Sequence, residues 1–534
     1  MLEQGAAMLR ARGIQSDLEL GPIVDPATPF DGDPVLHQRL THMYEAGAWV
    51  LMESALADLP ADLRWLYESG AVTLPQLAAI YRATGATSAS DLRAIIEDGS
   101  LRLIPGLDEA TETAIADALP LLRASTPRTA LGRAIMIADP ILAKLRDTPG
   151  IEWAMPAGSL RRAEETVGDI DIVASTSDPA SAIEDLSRHP DAGRVLHRSD
   201  RKIYLLFDRA QLGVRFPEPA RAGATLWRLT GSVAHVETIV RLAKQRGVDL
   251  ATAATEEDLY ARLDLPFIPA EIREGDDEIG AARDGRLPVL LSRAHIRGDL
   301  HMHTSFSDGR DTVEAMVTEC HRLGYEYMAI TDHSQSAMTT RTLTADTVRQ
   351  QADEIAAMRE RFPAMAILHG CEVDILPDGR LDFPDRVLER FDIVLASLHD
   401  SAGQDAPQLE ARYVAAMKHP LVTLITHPTN RLVPHRRGYK LDWDRMFATA
   451  VETGTFMEID GAPAHLDMDG ALARRALAAG VGVSVDSDCH RAEMLGRQMD
   501  LGVATARRGW VEPKHVLNTR PAAEIRALIK KKRT

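Results

Sequence analysis

The sequence predicts a multidomain α/β protein whose C-terminal part is a barrel of parallel β/α units. Three observations lead there. Between residues 296 and 534, short apolar runs alternate with helical patterns such as DTVEAMVTECHRLG and ADTVRQQADEIAAMRERF, the signature of parallel β/α units. Around residues 157–175 a Gly-Ser turn precedes a strand-like run carrying alternating aspartates. Ahead of both, the first 128 residues read as helices, and 534 residues are enough for several separate cores.

In chain order, the helical region comes first. In RLIPGLDEATETAIADAL the turn Gly106-Leu107 is followed by Asp108 and Glu109. Residues 61–120 resemble a degenerate pair of helix-hairpin-helix motifs, in which glycine and a basic residue at those two places would accept a DNA phosphate. Two carboxylates there repel one. The first hairpin equivalent, LYESGAVTLPQL, has lost the motif. Residues 1–130 hold 9 arginines, no lysine and 18 acidic residues, a net charge of −9. The first lysine is Lys144, so no amine is available there for Schiff-base chemistry. A helical packing module is expected.

The second element is AGSLRRAEETVGDIDIVAS, residues 157–175. Nucleotidyl transfer uses such a set. A turn at Gly158 and Ser159 offers backbone amides to a triphosphate, Arg162 or Arg161 neutralises it, and Asp169 and Asp171 share one strand face for Mg²⁺. The stretch resembles X-family DNA polymerases, and the match continues: ATLWRLTGSVAH resembles their palm-to-thumb segment, and DLPFIPAEIREGDDEIGAARDGRLP the connector that precedes the barrel in bacterial PolX proteins. The resemblance implies a nucleotidyltransferase-like palm over 129–230 and a thumb with connector over 231–290. It also implies a third metal-binding aspartate a fixed distance before Thr230-Gly231-Ser232. That position is Gly213, which has no side chain to offer. Asp208 lies on the other pleat face and Glu218 beyond the strand. Loss of the third carboxylate should cost roughly 10³-fold or more in synthesis rate.

The third element, residues 296–534, contains apolar runs near 297–301, 326–331, 366–371, 392–398, 421–426, 455–459 and 481–486. Six of the seven carry an imidazole or carboxylate at or just past the C-terminal end, where β/α barrels place their sites. These residues are His301, His303, Asp308, His333, Glu372, His399, His427, Asp488 and His490. Zn²⁺ and Mn²⁺ accept such ligands, and nine suffice for two or three ions. HMHTSFSDG, TDHS, GCEVD, SLHD, THPTNR and DSDCH match, in order, the polymerase-and-histidinol-phosphatase (PHP) family. That resemblance implies a distorted (β/α)7 barrel holding three ions. His301, His303, Glu372 and Asp488 would hold one. Glu372 would bridge to a second with His399 and His427, and Asp308, His333 and His490 would hold the third. Glu372, Asp488 and His399 would then be catalytic. Arg431, with His435, Arg436 and Arg437 nearby, is a candidate phosphate contact, a solvated charged loop being the alternative.

A net charge of −17 argues against tight nonspecific nucleic-acid binding but not against a local basic groove. No apolar run reaches membrane-span length, the N-terminus lacks a signal-peptide core, and three cysteines make no disulfide framework. A cytoplasmic protein without an obligate protein partner is expected. The whole pattern implies a PolX-like repair protein whose PHP part removes nucleotides from DNA 3′ ends and cuts at abasic sites, with DNA synthesis lost or weak and a dNTP with Mg²⁺ bound at most loosely in the palm. Two alternatives stay open: a phosphomonoesterase of the histidinol-phosphatase kind, and a nucleotide-binding scaffold without turnover.

Overall fold

The computed structural model describes residues 61–533 except 87, 98, 126–127, 189–193, 208–209 and 338–340. Asp208 and the first sixty residues of the helical region lie outside the described residues. The chain forms two compact units, one comprising residues through 127 with Arg194–Ser199 and Tyr204–Leu206, the other comprising the remainder.

In the first unit, helices Ala61–Glu68, Leu74–Thr84, Ala89–Glu97 and Glu109–Ser125 enclose Leu63, Leu66, Ile80, Leu92 and Ile115. The acidic hairpin has a structural explanation. Asp108 caps the last helix, its Oδ1 accepting from the Thr111 amide at 2.8 Å and hydroxyl at 2.7 Å. It thus occupies a helix N-terminus, the kind of place where a phosphate binds. Glu112 accepts from Nη2 and Nε of Arg102, at 2.8 and 2.9 Å.

In the second unit, strand Ile151–Pro156 pairs antiparallel with Ile170–Thr176, which pairs parallel with Ala210–Arg215. Helix Leu131–Asp147 packs on this sheet. Helices Ala222–Thr230, Val233–Arg246 and Glu256–Ala261 follow, around Trp227, Ile239, Tyr260 and Leu263. Ser232 caps the second of them by accepting from the His235 amide at 3.1 Å. The His235 ring is buried between Glu278 (2.6 Å) and Tyr260 (2.9 Å), and burial holds its pKa below the ordinary value.

The barrel consists of β1 (Gly298–Asp299), β2 (Tyr327–Ile330), β3 (Ala366–Asp374), β4 (Ile393–Ser397), β5 (Val422–Ile425), β6 (Phe456–Asp460) and β7 (Val483–Asp486). Each strand pairs parallel with the next, so sheet order is sequence order. All seven expected apolar runs are strands. Helices cover the outer face over a core including Met316, Val317, Ile355, Phe447, Met457 and Val503. Inward residues Leu300, Ala329, Leu368, Leu395 and Leu424 pack with Ile525 of the last helix, Ala522–Lys532.

No continuous ladder joins β1 to β7. Instead the Leu300 amide donates to Asp486 Oδ1 (2.8 Å), the Ser487 amide to Asp299 Oδ1 (3.2 Å), and the His303 amide to the Cys489 carbonyl (2.9 Å). Burial pushes the Asp299 carboxyl up to about 6 and the Asp486 carboxyl well above its usual range. This seam brings the first and last ligand motifs of the sequence side by side.

Candidate metal centre and the palm motif

The ligand positions follow from strand ends. His301 and His303 are two residues apart on the extended run after β1, so they face the same way. The following loop is pinned by buried Asp332, which accepts from the Thr304 and Ser307 amides (2.8 and 3.0 Å), the Thr304 hydroxyl (2.6 Å) and the Gln351 amide (2.5 Å). Glu372 lies within β3, fully buried. His399, His427 and Asp488 follow β4, β5 and β7. His427 and Asp488 adopt positive φ, 23° and 47°, conformations that cost a non-glycine residue roughly 1 kcal/mol or more.

The nine side chains converge. Three groups offer ligand atoms that all lie within 4.8 Å of one another: His301, His303 and Asp488; His333, Glu372 and His399; and His303, Asp308, His333 and His490. Glu372 Oε2 is 3.5 Å from Nε2 of both His301 and His303, and Glu372 Oε1 is 2.8 Å from His427 Nε2. His333 reaches both Asp308 and Glu372, His303 lies in two of these groups, and His427 meets the centre through Glu372.

The donor chemistry suits cations. His301 Nδ1 bonds Glu458 at 2.7 Å, His399 Nδ1 bonds Asp374 at 2.9 Å, and His490 Nδ1 bonds the Asp488 carbonyl at 3.0 Å. In each, Nδ1 donates and Nε2 turns into the cluster, where a cation would take the place of a proton, the arrangement usual for metal-bound histidine. His333 Nδ1 and Glu372 Oε2 are 2.8 Å apart. A contact this close calls for positive charge, which a proton on the imidazole or a shared ion supplies.

Electrostatics agrees. Burial lowers the pKa of His301 and His399, but nearby carboxylates outweigh it: Glu458 first, then Glu372 and Asp488 at His301, and Glu372 with Asp374 at His399. His301 ends well above its usual value and His399 reaches about 9. Burial opposes the charge on Glu372 too, and the His301, His333 and His399 imidazoles still hold it well below the carboxylate range. His303, buried and facing His333 and His490, falls to about 4. The pocket thus demands positive charge.

Sequence reasoning misses three acids that support this centre: Glu458, Asp374 and Asp332. A signal for Glu458 is present, since FMEID places two carboxylates in a fully apolar run. β6 is the strand to which the motifs assign no ligand, yet Glu458 and Asp460 on it are both fully buried. Asp460, His465 and Asp488 make a fourth group of ligand size.

The guanidinium of Arg431 donates to the carbonyls of His465 (2.9 Å) and Leu466 and lies 3.4 Å from Asp469 and 3.5 Å from Glu165, so it fastens the loop after β6. Arg436 likewise bonds the Asn430 carbonyl at 2.8 Å.

The palm motif is assembled but internally neutralised. Arg161 pairs with Glu256 at 2.6 Å. Arg162 is buried, bonding Glu164, Glu274 (3.2 Å) and the Thr230 carbonyl (2.7 Å). Arg508 from the barrel reaches Glu274 (2.7 Å) and the Arg162 carbonyl (2.9 Å), locking that corner. Gly158 has φ +62° and opens the short helix containing Ser159. Gly213 is the register partner of Asp171, and Arg215, two residues on, lies 3.7 Å from the Asp171 carboxylate. Where the resemblance calls for another carboxylate beside Asp171, a guanidinium stands at 3.7 Å. Asp169 is half-buried just ahead of that strand.

Comparison with known proteins accords with this layout. The PHP domain family matches residues 299–432. The "DNA polymerase/3′-5′ exonuclease PolX" of Bacillus subtilis (strain 168) is 35% identical over 496 residues, covering 90% of this chain and 86% of that protein. The chain belongs to the PolX family. A probable phosphatase of Thermoanaerobacter sp. (strain X514) is 28% identical over 246 residues, 44% of this chain and 95% of that one, so it shares a part of the PolX chain only. The crystal structure of histidinol phosphate phosphatase from Lactococcus lactis aligns with 40% of this chain and 94% of its own at 16% identity, with a TM-score of 0.32. This PolX-family chain has, among its described residues, no helix long and apolar enough to cross a membrane.

Proposed function

We propose that this protein is a divalent-metal-dependent phosphodiesterase that removes nucleotides from DNA 3′ ends, and that its polymerase-type module binds DNA or nucleotide without efficient synthesis. The convergence of nine imidazoles and carboxylates on buried Glu372 carries the first half. These residues would hold Mn²⁺ or Zn²⁺ by donor type, which would supply an activated water and offset charge at phosphorus. The chain's own contribution is orientation: Glu458 and Asp374 fix His301 and His399, and Asp332 fixes the loop bearing Asp308. The Bacillus subtilis relative named as a polymerase and 3′-5′ exonuclease supports a DNA 3′ end as the substrate. Cleavage at abasic sites is the same phosphodiester chemistry and falls within this reading.

The second half rests on Gly213 opposite Asp171, with Arg215 beside that carboxylate and both motif arginines spent on glutamates. One assay tests both halves: a 5′-labelled strand or gapped duplex incubated with Mn²⁺, with and without dNTPs. Shortening in both arms is expected. Extension in the dNTP arm would overturn the loss of synthesis, and no change in either would overturn the exonuclease reading. Hydrolysis of small phosphomonoesters with the DNA untouched would favour the phosphatase alternative, which the palm and thumb argue against because a small ester needs neither.

A further inference from the structure

We propose that Asp460, His465 and Asp488 form an additional divalent-cation position flanking the nine-ligand centre, with Asp488 as the carboxylate common to both. This rests on the reading of that centre as a metal site and extends it.

Asp460 ends β6 and is fully buried. Its Oδ1 accepts from the Ala462 amide at 2.6 Å, while its Oδ2 is buried without a hydrogen-bond partner among the described residues. A carboxylate oxygen removed from water and left unpaired is unfavourable unless something positive meets it. His465 is the nearby candidate for the second ligand. Its Nδ1 lies 3.0 Å from the Arg431 carbonyl, which can only accept, so Nδ1 bears the hydrogen and Nε2 the lone pair. Arg431 Nε donates back to the His465 carbonyl at 2.9 Å, and the His465 ring stacks on His427 with centroids 5.1 Å apart and planes 19° from parallel. Imidazole and loop are therefore held from two sides. Asp467, accepting from the Thr429 amide at 2.9 Å and hydroxyl at 2.9 Å, pins the same loop to the segment after β5.

One ligand atom from each of Asp460, His465 and Asp488 falls within 4.8 Å of the others. Donors bound to one ion at about 2.0–2.2 Å lie at most about 4.4 Å apart, so a small inward movement of these side chains suffices to close them on an ion. A carboxylate shared by adjacent ions is how polynuclear sites hold them about 3.5–4 Å apart. One imidazole and two carboxylates select borderline ions such as Mn²⁺, Co²⁺ or Zn²⁺ over Ca²⁺ or Mg²⁺. The position also lies near Arg431, whose guanidinium is 3.5 Å from Glu165 of the palm.

The test is metal content of the full chain. Unmodified protein, Asp460→Asn, His465→Gln and Glu372→Gln are loaded with Mn²⁺ or Zn²⁺, desalted and analysed by mass spectrometry of the metals, with circular dichroism to verify folding. Asp460→Asn and His465→Gln should each bind one equivalent fewer than the unmodified chain while keeping the rest, and Glu372→Gln should lose ions from the main centre. Equal content in the unmodified chain and in both flank variants would overturn the proposal. Loss of every ion in folded flank variants would overturn it too, by making Asp460 and His465 part of the main centre. No ions in any of the four proteins would overturn the underlying metal-site reading and the proposal with it. Should a flank variant fail to fold, titration of the chelator-treated unmodified chain with Co²⁺ decides. A separate final absorption step supports the extra position, and its absence overturns it.

Discussion

The barrel and the palm of this chain use the same vocabulary of charged side chains to opposite ends. In the barrel, the one carboxylate of Glu372 stands among the imidazoles of His301, His303, His333, His399 and His427, and among the described residues no lysine or arginine is paired with it. In the palm, Arg161 and Arg162 are answered by Glu256, Glu164 and Glu274, and Asp171 has Arg215 beside it. A cluster left short of positive charge is a binding site; one already balanced by its own residues is a fastening. What separates them is which neighbour completes the charge, a fact that motif spacing alone does not carry.

The sharpest way to break this comparison is at Glu372. Glu372→Gln should lower Mn²⁺-dependent hydrolysis of a 3′ end by about 10³-fold or more, measured by release of labelled nucleotide. Activity within tenfold of the unmodified protein would mean the centre does not depend on its most buried carboxylate. On the palm side, gap filling by protein carrying Glu372→Gln, so that degradation cannot mask it, should be undetectable. Gly213→Asp alone should not restore it, because Arg215 and the glutamate-bound arginines remain. Efficient extension by that protein would show that the palm is not a closed cluster.

Glu458→Gln sharpens the same contrast more gently. It keeps the size of the side chain but weakens its grip on His301 Nδ1, so metal affinity should fall about 10–100-fold in a competition titration. Smaller again, replacing Asp108 and Glu109 by Gly and Lys should tighten binding to a labelled duplex and steepen its salt dependence. A modest drop in melting temperature should accompany it, since Asp108 also caps a helix. Unchanged anisotropy titrations at two salt concentrations would remove the repulsion argument.

The smallest effect tests whether closed clusters are elements of stability. His235 is held neutral, its folded pKa depressed by burial, whereas the unfolded chain takes up a proton near pH 6.5. Stability should therefore be full above about pH 6.5 and decline as pH falls toward the depressed folded value. His235→Gln should flatten that part of a denaturation-versus-pH curve.

Much of the barrel is legible in the amino-acid sequence, for a physical reason. Buried parallel strands need apolar runs, and barrel sites sit at strand ends, so His301, His333, Glu372 and His427 are marked by what precedes them. The seven strands are legible for the same reason. Arg431 is not. An arginine beside a ligand motif looks the same whether its guanidinium meets phosphate or the carbonyls of His465 and Leu466. Asp108 has two readings, of which repulsion is visible in the motif and helix capping only in the local geometry. Glu458 and Asp460 escape motif reasoning because β6 ends without a motif, although two acids in an apolar strand already require partners.

The seam between β1 and β7 has a last consequence, for shelf life. Open β-edges recruit other β-edges, and natural sheets hide them. Here the hiding is done by two carboxylates, a few amides and the meeting of His301 and His303 with Asp488 across the gap. A cation gripping both sides is a clasp on that gap. Protein stripped by chelator should consequently become prone to aggregate on standing, and readdition of Mn²⁺ or Zn²⁺ before storage should keep it monodisperse in light scattering.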